Sequence, residues 1–187
     1  MERIQNVHPK EYNGRKFRST LEADTAKMLD LLGLPWEYEP RKIMLLEGFR
    51  SRHQKDKVQA ITYTPDFILG NIMLECKGFE TPEWKMKRKL VLKYLEENEP
   101  NMHFHQIHNC RKDLLEVLDN YWTDFGYAVH VTSKIRKNPR TWKFASIQEA
   151  MTALGMGRRS KTYIMKSLTG EKEYVYNYNW KLIKITL

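Results

Sequence analysis

Apolar and polar positions along the chain fall into blocks with helical spacing and blocks that alternate like β-strands. Helical spacing, with suitable capping residues, predicts helices over 19–33, 81–98 and 111–122, after Ser146, and over about 160–168. Strand-like runs occupy 36–46, 61–69, 72–77, 102–108, 126–132 and 174–185, whereas the polar stretch 47–60 predicts a loop. The order of elements predicts an α/β fold with a small mixed central sheet between helices.

One hairpin is defined closely enough to predict its register. Gly70-Asn71 joins two strand-like runs, so the residues on either side of the turn pair and Asp66 faces Glu75. Alternation places an apolar set on one face: Phe67, Leu69, Ile72, Leu74 and Cys76. The other face carries Asp66, Glu75 and Lys77, with the β-carbons of the two acidic residues roughly 5 Å apart.

Two carboxylates that face each other across a sheet repel, so this face needs a neutralising partner. Mg²⁺ is one such partner, because it binds one or two carboxylates together with water and phosphate oxygens. Lys77 would then reach the same attacking water or phosphate. Two other interpretations remain open: one carboxyl group is protonated, or Lys77 forms a surface ion pair with Glu75.

Glu22 also has two interpretations. It follows Ser19 by three positions, which is the spacing of a helix capping box. It also lies at the edge of the apolar stripe of its predicted helix, from which it would face the sheet. The sequence does not decide between these roles.

The composition, 41% hydrophobic and 12% aromatic, is that of a folded chain. No apolar run is long enough to span a membrane, and the first residues lack the apolar core of a secretory signal. Cys76 and Cys110 are the only cysteines, which indicates a reducing compartment. The cytoplasm is therefore the expected location.

The positive charge is distributed unevenly. Residues 131–187 carry 12 Lys and Arg against 3 Asp and Glu, which accounts for the whole formal net charge of +9. This asymmetry indicates a nucleic-acid partner for the C-terminal segment, with a merely solvated basic surface as the alternative. We therefore predict a main domain over 1–130, a basic linker over 131–142 and a small helix-turn-helix-like unit over 143–187.

The hairpin motif resembles that of the PD-(D/E)xK nucleases, with T-P-D-F at 64–67 and L-E-C-K-G at 74–78. The motifs FRSTLEA, WEYEP and KMKRKL extend the resemblance, over residues 15–108, to small phage-encoded nucleases related to phage endonuclease I. The resemblance implies a restriction-endonuclease-like core in which Asp66, Glu75 and the Cys76 carbonyl hold Mg²⁺, with Mn²⁺ as a substitute. It also implies that Glu22 supports a second metal or a water, and that Lys77 activates the nucleophile.

The C-terminal segment resembles the small DNA-binding units attached to homing endonucleases, through S-I-Q-E-A, L-G and N-Y-N-W-K. Its predicted DNA contacts lie around the second helix: Arg158, Arg159, Ser160, Lys161, Thr162, Tyr163 and Lys166. On the helix after the hairpin, Lys85, Arg88 and Lys89 are candidates for phosphate contacts, with an ordinary exposed helix face as the alternative. The alternating aromatic residues are expected in the core rather than as a base-stacking surface: Tyr174, Tyr176, Tyr178 and Trp180.

These observations predict a Mg²⁺-dependent endonuclease that cuts double-stranded DNA at a chosen site, like a homing endonuclease of a phage or mobile element. A branched-DNA resolvase and a non-catalytic DNA-binding protein remain as alternatives. Cutting both strands needs a homodimer or two successive events, and the sequence favours neither. Zinc on His103, His105 and His108 is not favoured, because no further residue completes a recognisable ligand spacing.

Overall fold

The computed structural model describes residues 9–134 and 138–185, which belong to two compact units. The first unit contains Met1–Leu34 and Asn109–Leu187, and the second contains Pro35–His108. Among the described residues, no helix has the length and apolar character needed to cross a membrane. The units therefore divide the chain differently from the predicted boundaries at 130 and 142.

Five helices and thirteen strands lie within the described residues, which makes the fold mixed α/β as predicted. The helices are α1 (Thr20–Leu31), α2 (Pro82–Asn98), α3 (Cys110–Leu118), α4 (Ile147–Ala153) and α5 (Lys161–Leu168), with a 3-10 turn at Arg158–Ser160. The strands are β1 (Lys10–Tyr12), β2 (Arg15–Phe17), β3 (Glu37–Tyr38), β4 (Ile43–Leu46), β5 (Phe49–Arg50), β6 (Lys57–Val58), β7 (Ile61–Tyr63), β8 (Phe67–Leu69), β9 (Ile72–Cys76), β10 (His103–Ile107), β11 (Tyr127–Ser133), β12 (Thr141–Phe144) and β13 (Tyr178–Lys184).

A four-stranded mixed sheet forms the centre of the second unit. Its strands are ordered β10-β9-β8-β3, with β9 parallel to β10 and the other pairs antiparallel. Leu69 pairs with Ile72 across the turn, so the predicted hairpin register is confirmed. Gly70 lies in the turn with a φ of +54°. Glycine adopts this left-handed conformation at little energetic cost because it has no β-carbon.

Helix α2 covers the face of this sheet to which Glu75 belongs. Thr81 caps the helix by accepting a hydrogen bond from the Trp84 N–H at 3.1 Å, and Pro82 lies in the first turn. The helix packs on the sheet through a buried cluster: Ile43, Tyr63, Met73, Trp84, Val91 and Leu95. The face predicted to be polar is therefore largely buried, with its acidic residues at one end of an apolar layer.

Strands β4 to β7 form two antiparallel pairs, one nested inside the other, within the second unit. We call this nested hairpin the ribbon. β4 pairs with β7 and β5 pairs with β6, both antiparallel, with an irregularity between Met44 and Leu46. The prediction of a loop over 47–60 is therefore wrong for β5 and β6. Period-2 alternation is hidden there because polar residues occupy nearly every position of a ribbon that is exposed along most of its length.

The first unit contains a three-stranded antiparallel sheet in the order β12-β11-β13. The predicted linker over 131–142 differs from this arrangement, because it includes the end of β11 and the start of β12; residues 135–137 lie outside the described residues. Helix α3 packs against both α1 and α5. The C-terminal helices and the segment before 130 therefore share one unit.

Asp119, just after α3, forms hydrogen bonds that join the C-terminal segment to the rest of this unit. Its Oδ1 accepts a hydrogen bond from the Ile147 N–H at 2.5 Å and its Oδ2 accepts one from the Gln148 N–H at 3.0 Å. These are amides of the first turn of α4, which have no partner within the helix. Burial raises the pKa of Asp119, and the two backbone hydrogen bonds oppose that shift.

The aromatic residues near the C-terminus do not form the continuous core face that was predicted. Tyr176 and Asn177 have φ values of +52° and +65°, so the chain turns there and β13 begins only at Tyr178. Trp180 is fully buried, but Tyr174 and Tyr176 are exposed. The expectation of core positions is therefore wrong for these two tyrosines.

Candidate active site at the β8–β9 hairpin

Glu75 is a buried carboxylate with two strong partners in the second unit. The residue is only 3% exposed. The Tyr63 hydroxyl donates a hydrogen bond to its Oε2 at 2.7 Å, and the Lys77 Nζ lies 2.6 Å from its Oε1. A buried charge needs such partners. The Lys77–Glu75 ion pair considered from the sequence is present, but its acidic member lies inside the protein rather than on its surface.

Asp66 lies one residue before β8, just beyond the end of the ladder at Phe67 and Leu74, so no ladder pair joins it to Glu75. Its Oδ2 accepts a hydrogen bond from the Cys76 N–H at 2.7 Å, and the residue is 6% exposed. Burial chiefly raises the pKa of Tyr63, and the charges of Glu75 and Asp66 raise it further. Both carboxylates therefore lie near the same hydroxyl.

Lys77 is held by groups from two neighbouring elements. Its N–H donates to the Ile107 carbonyl at 2.9 Å, and its own carbonyl accepts a hydrogen bond from the His108 Nδ1 at 2.5 Å. Its Nζ lies 4.7 Å from the centre of the Trp84 ring, which allows a cation–π contact. The structure thus brings Lys77 together with Glu75, while its side chain stays 30% exposed.

The sequence did not point to three residues that position this site: Tyr63, Trp84 and His108. Tyr63 belongs to the strand-like run that also carries Asp66, but its hydroxyl contacts Glu75 on a different strand. Trp84 and His108 reach Lys77 only through the packing of α2 and β10. No local pattern in the sequence marks those contacts.

The available donor atoms suit a hard cation. Carboxylate and carbonyl oxygens are the ligands of Mg²⁺, which keeps several waters and seldom needs more than two protein carboxylates. Within residues 9–134 and 138–185, no group of three or more His, Cys, Asp or Glu side chains is arranged to hold a metal ion. That finding includes His103, His105 and His108. The two carboxylates of the hairpin are thus an incomplete ligand set without water and substrate oxygens.

Neither protein-family models, nor curated proteins, nor solved structures gave a match to this chain. The geometry of the hairpin and the charge of the surrounding surfaces are therefore the features from which a function can be inferred.

Glu22 belongs to the first unit, where it closes the start of α1. Its Oε1 accepts a hydrogen bond from the Ser19 hydroxyl at 2.8 Å, and its Oε2 accepts one from the Arg18 N–H at 3.1 Å. The Ser19 Oγ in turn accepts from the Glu22 N–H at 3.2 Å. The Ser19 contact is that of a capping box, and the Glu22 carboxylate reaches back to the Arg18 N–H, one residue before the cap. The contacts bear out the capping interpretation, and a role at a second metal stays a prediction.

The three predicted phosphate-binding residues of α2 differ in their surroundings. Lys85 and Lys89 are exposed. Arg88 is half-buried, lies 3.3 Å from a Glu80 carboxylate oxygen and donates to the side chain of Gln106. Arg88 therefore links α2 to β10, whereas the side chains of Lys85 and Lys89 are exposed to solvent.

The predicted DNA contacts around α5 also divide into two groups. Arg158, Arg159, Thr162 and Tyr163 are exposed, whereas Lys161 and Lys166 are half-buried. Ser160 is buried at the start of α5, which differs from its predicted position against DNA. The exposed Tyr163 ring packs edge-on against Tyr176 with centres 5.9 Å apart. An aromatic and basic surface is therefore present around the 3-10 turn and α5.

Replacing Tyr63 by phenylalanine is expected to lower the free energy of unfolding by about 1–3 kcal/mol, because Glu75 loses a buried donor.

The raised pKa of Tyr63 also predicts that the stability of the wild type depends on pH. As pH rises above the ordinary tyrosine value of 10.0, the unfolded chain ionises first, so the wild type loses stability. Urea unfolding at neutral pH and above pH 10 measures both effects. The difference between wild type and variant should shrink at high pH, and a constant difference would contradict the assignment.

Proposed function

We propose that this chain is a metal-dependent DNA endonuclease whose reacting centre consists of Asp66, Glu75 and Lys77. The observation that carries the proposal is the pair of buried carboxylates beside a partly exposed lysine on one hairpin. Buried carboxylates are costly, and functional sites are where proteins commonly keep them. The resemblance of this hairpin to the PD-(D/E)xK motif independently favours phosphodiester hydrolysis.

Each residue has a distinct role in the proposed reaction. Asp66, Glu75 and the Cys76 carbonyl would hold Mg²⁺ or Mn²⁺, which when bound polarises the scissile phosphate and lowers the pKa of a bound water. The Cys76 N–H fixes Asp66, and the Tyr63 hydroxyl fixes Glu75, so the two carboxylates are already in place. Lys77 then orients the attacking water or stabilises negative charge on the phosphate.

Surface charge supports DNA as the substrate. The exposed residues Lys85 and Lys89 are on α2 of the second unit, and Arg158 and Arg159 are exposed in the first unit. All of the excess positive charge lies in residues 131–187. A basic surface of this kind gains affinity for duplex DNA through release of counterions. We propose site-directed cutting, because the C-terminal segment resembles the DNA-binding units of homing endonucleases.

Incubation of the purified chain with supercoiled plasmid tests this proposal. Nicked or linear DNA with 5′-phosphate ends is expected with Mg²⁺ or Mn²⁺, and none is expected with EDTA. A four-way junction and a randomised duplex library, tested in parallel, separate a resolvase from a site-directed enzyme. Binding without cutting on all three substrates would leave a DNA-binding protein and overturn the proposed activity.

A further inference from the structure

The stretch 47–60, which we name the basic arm, is the most strongly charged surface of the second unit that the proposed function leaves unused. Its cations are all exposed: Arg50, Arg52, Lys55 and Lys57, with His53 among them. Two acidic residues, Glu47 and Asp56, offset them only in part. Phe49 adds an aromatic ring that is 49% exposed.

The charges of the arm differ from other exposed charges of the same unit. Arg41 pairs with Glu99, and Lys93 lies 3.7 Å from Glu97. In the part of the chain that the structure describes, no cation of the arm lies within ion-pair distance of a carboxylate. The arm therefore presents positive charge that is available to an anionic partner.

The arm is continuous with the candidate active site through the ribbon. Strand β7 ends at Tyr63, which pairs with Ile43 of β4 and hydrogen-bonds Glu75. At the other end of the ribbon, β5 and β6 pair through Phe49 and Val58. Within this ribbon, each of the two connections between the outer and inner strand pairs, 47–48 and 59–60, is only two residues long.

Gly48 fixes the base of the arm. A β-carbon added there would lie 3.0 Å from the Val58 carbonyl oxygen and 3.1 Å from the Ala60 nitrogen. The two chain segments can approach this closely only because residue 48 lacks a side chain. A larger residue at position 48 would therefore push the two segments apart at this point.

The size and chemistry of the arm match duplex DNA. The major groove admits a two-stranded β-ribbon, and phosphates line both of its edges. The stretch 57–63 consists of two short strands joined by Gln59 and Ala60, so it spans at most roughly 20 Å. At about 3.4 Å per base pair, that length corresponds to roughly six base pairs along the duplex.

We propose that the basic arm is a DNA-binding ribbon that contacts the duplex within a few base pairs of the phosphate that is cut. The inference rests on the proposed nuclease function, which it extends by assigning a second point of contact within the catalytic unit. Arg50, Arg52, Lys55 and Lys57 bind phosphates along the groove. Phe49 contacts a sugar or base edge between them.

The test compares two variants that remove the same number of charges from the full chain. The arm variant is Arg52→Gln with Lys55→Gln, and the control is Arg41→Gln with Lys93→Gln, whose charges are already paired. Both change exposed side chains, so unchanged circular dichroism and thermal unfolding are expected. Binding of a fluorescein-labelled random-sequence duplex is measured in EDTA between about 50 and 200 mM KCl.

Loss of two phosphate contacts should lower the slope of log affinity against log salt by about 2 and weaken binding roughly 10- to 30-fold near physiological salt. The control should change neither. Equal affinity and slope for wild type and arm variant would overturn the proposal. So would retention of anionic phosphatidylserine vesicles by the arm without retention of the duplex.

Plasmid nicking by the wild type and the arm variant, measured beside DNA binding, separates this proposal from the proposed nuclease activity. A wild type that binds DNA through the arm but never nicks plasmid, with Mg²⁺ or Mn²⁺, refutes the proposed function and leaves the arm assignment standing. A wild type that nicks plasmid while the arm variant binds and cuts equally well refutes the arm alone.

Discussion

Replacing Glu75 by glutamine is expected to reduce plasmid nicking by about a thousandfold while leaving affinity for duplex DNA within a factor of a few. Glutamine keeps the length of the side chain and can still accept a hydrogen bond from the Tyr63 hydroxyl. It removes the negative charge that the proposed metal site and the Lys77 ammonium both require. Asp66→Asn should act similarly, because an amide oxygen can still accept from the Cys76 N–H.

The matched control is Glu96→Gln, which removes an exposed carboxylate from α2 of the same unit. It should nick at the wild-type rate. Initial rates with saturating Mg²⁺ measure the effect, and anisotropy in EDTA measures affinity. If Glu75→Gln and Asp66→Asn both nicked within tenfold of wild type, the hairpin would not be the reacting centre. Reduced nicking together with equally reduced binding would place these residues in DNA binding instead.

The site could be predicted from sequence to the extent that local rules determine it. A Gly-Asn turn fixes the register of a hairpin, and alternation then puts Glu75 and Lys77 on one face of β9. Capping residues in the same way gave the starts of α1, α2 and α4, at Ser19, Thr81 and Ser146. These features depend on residues within a few positions of each other.

The surroundings of the site could not be predicted, because they depend on packing between distant segments. Alternation along β9 says nothing about α2, which covers Met73 and leaves Glu75 buried at the end of an apolar layer. It also says nothing about β10, whose end holds the backbone of Lys77. Where the sequence predicted opposed charges on a polar face, the structure has an ion pair between the buried Glu75 and the partly exposed Lys77.

The division of the chain was also beyond local rules. A basic stretch with few apolar residues around 133–140 has the composition of a linker. In the structure it connects neighbouring strands of one sheet, in which β11 lies between β12 and β13. Long-range pairing of this kind leaves no period in the sequence.

A chain ending at Lys134 is expected to lose the cooperative unfolding of the first unit. Truncation removes both partners of β11 and a set of fully buried side chains: Ile147, Ala150, Ile164, Met165 and Trp180. Loss of a buried Trp side chain alone costs about 3–5 kcal/mol. The whole set therefore exceeds the roughly 5–15 kcal/mol that stabilises a typical domain. Urea unfolding followed by near-UV circular dichroism measures the loss, and a retained cooperative transition would support the boundary predicted at 131–142.

Point variants make the same test in the full-length chain, without the shortened backbone. Trp180→Ala should lower the free energy of unfolding by about 3–5 kcal/mol, because Trp180 is fully buried on β13, a strand that packs against α5. Tyr174→Ala removes an exposed aromatic ring from the same segment and should change stability by about 0.5 kcal/mol or less. If the C-terminal segment were an independent module, Trp180→Ala would unfold it alone and leave the probes of α1 and α3 unchanged. Because α3 packs against both α1 and α5, we expect those probes to lose structure in the same transition as the C-terminal helices.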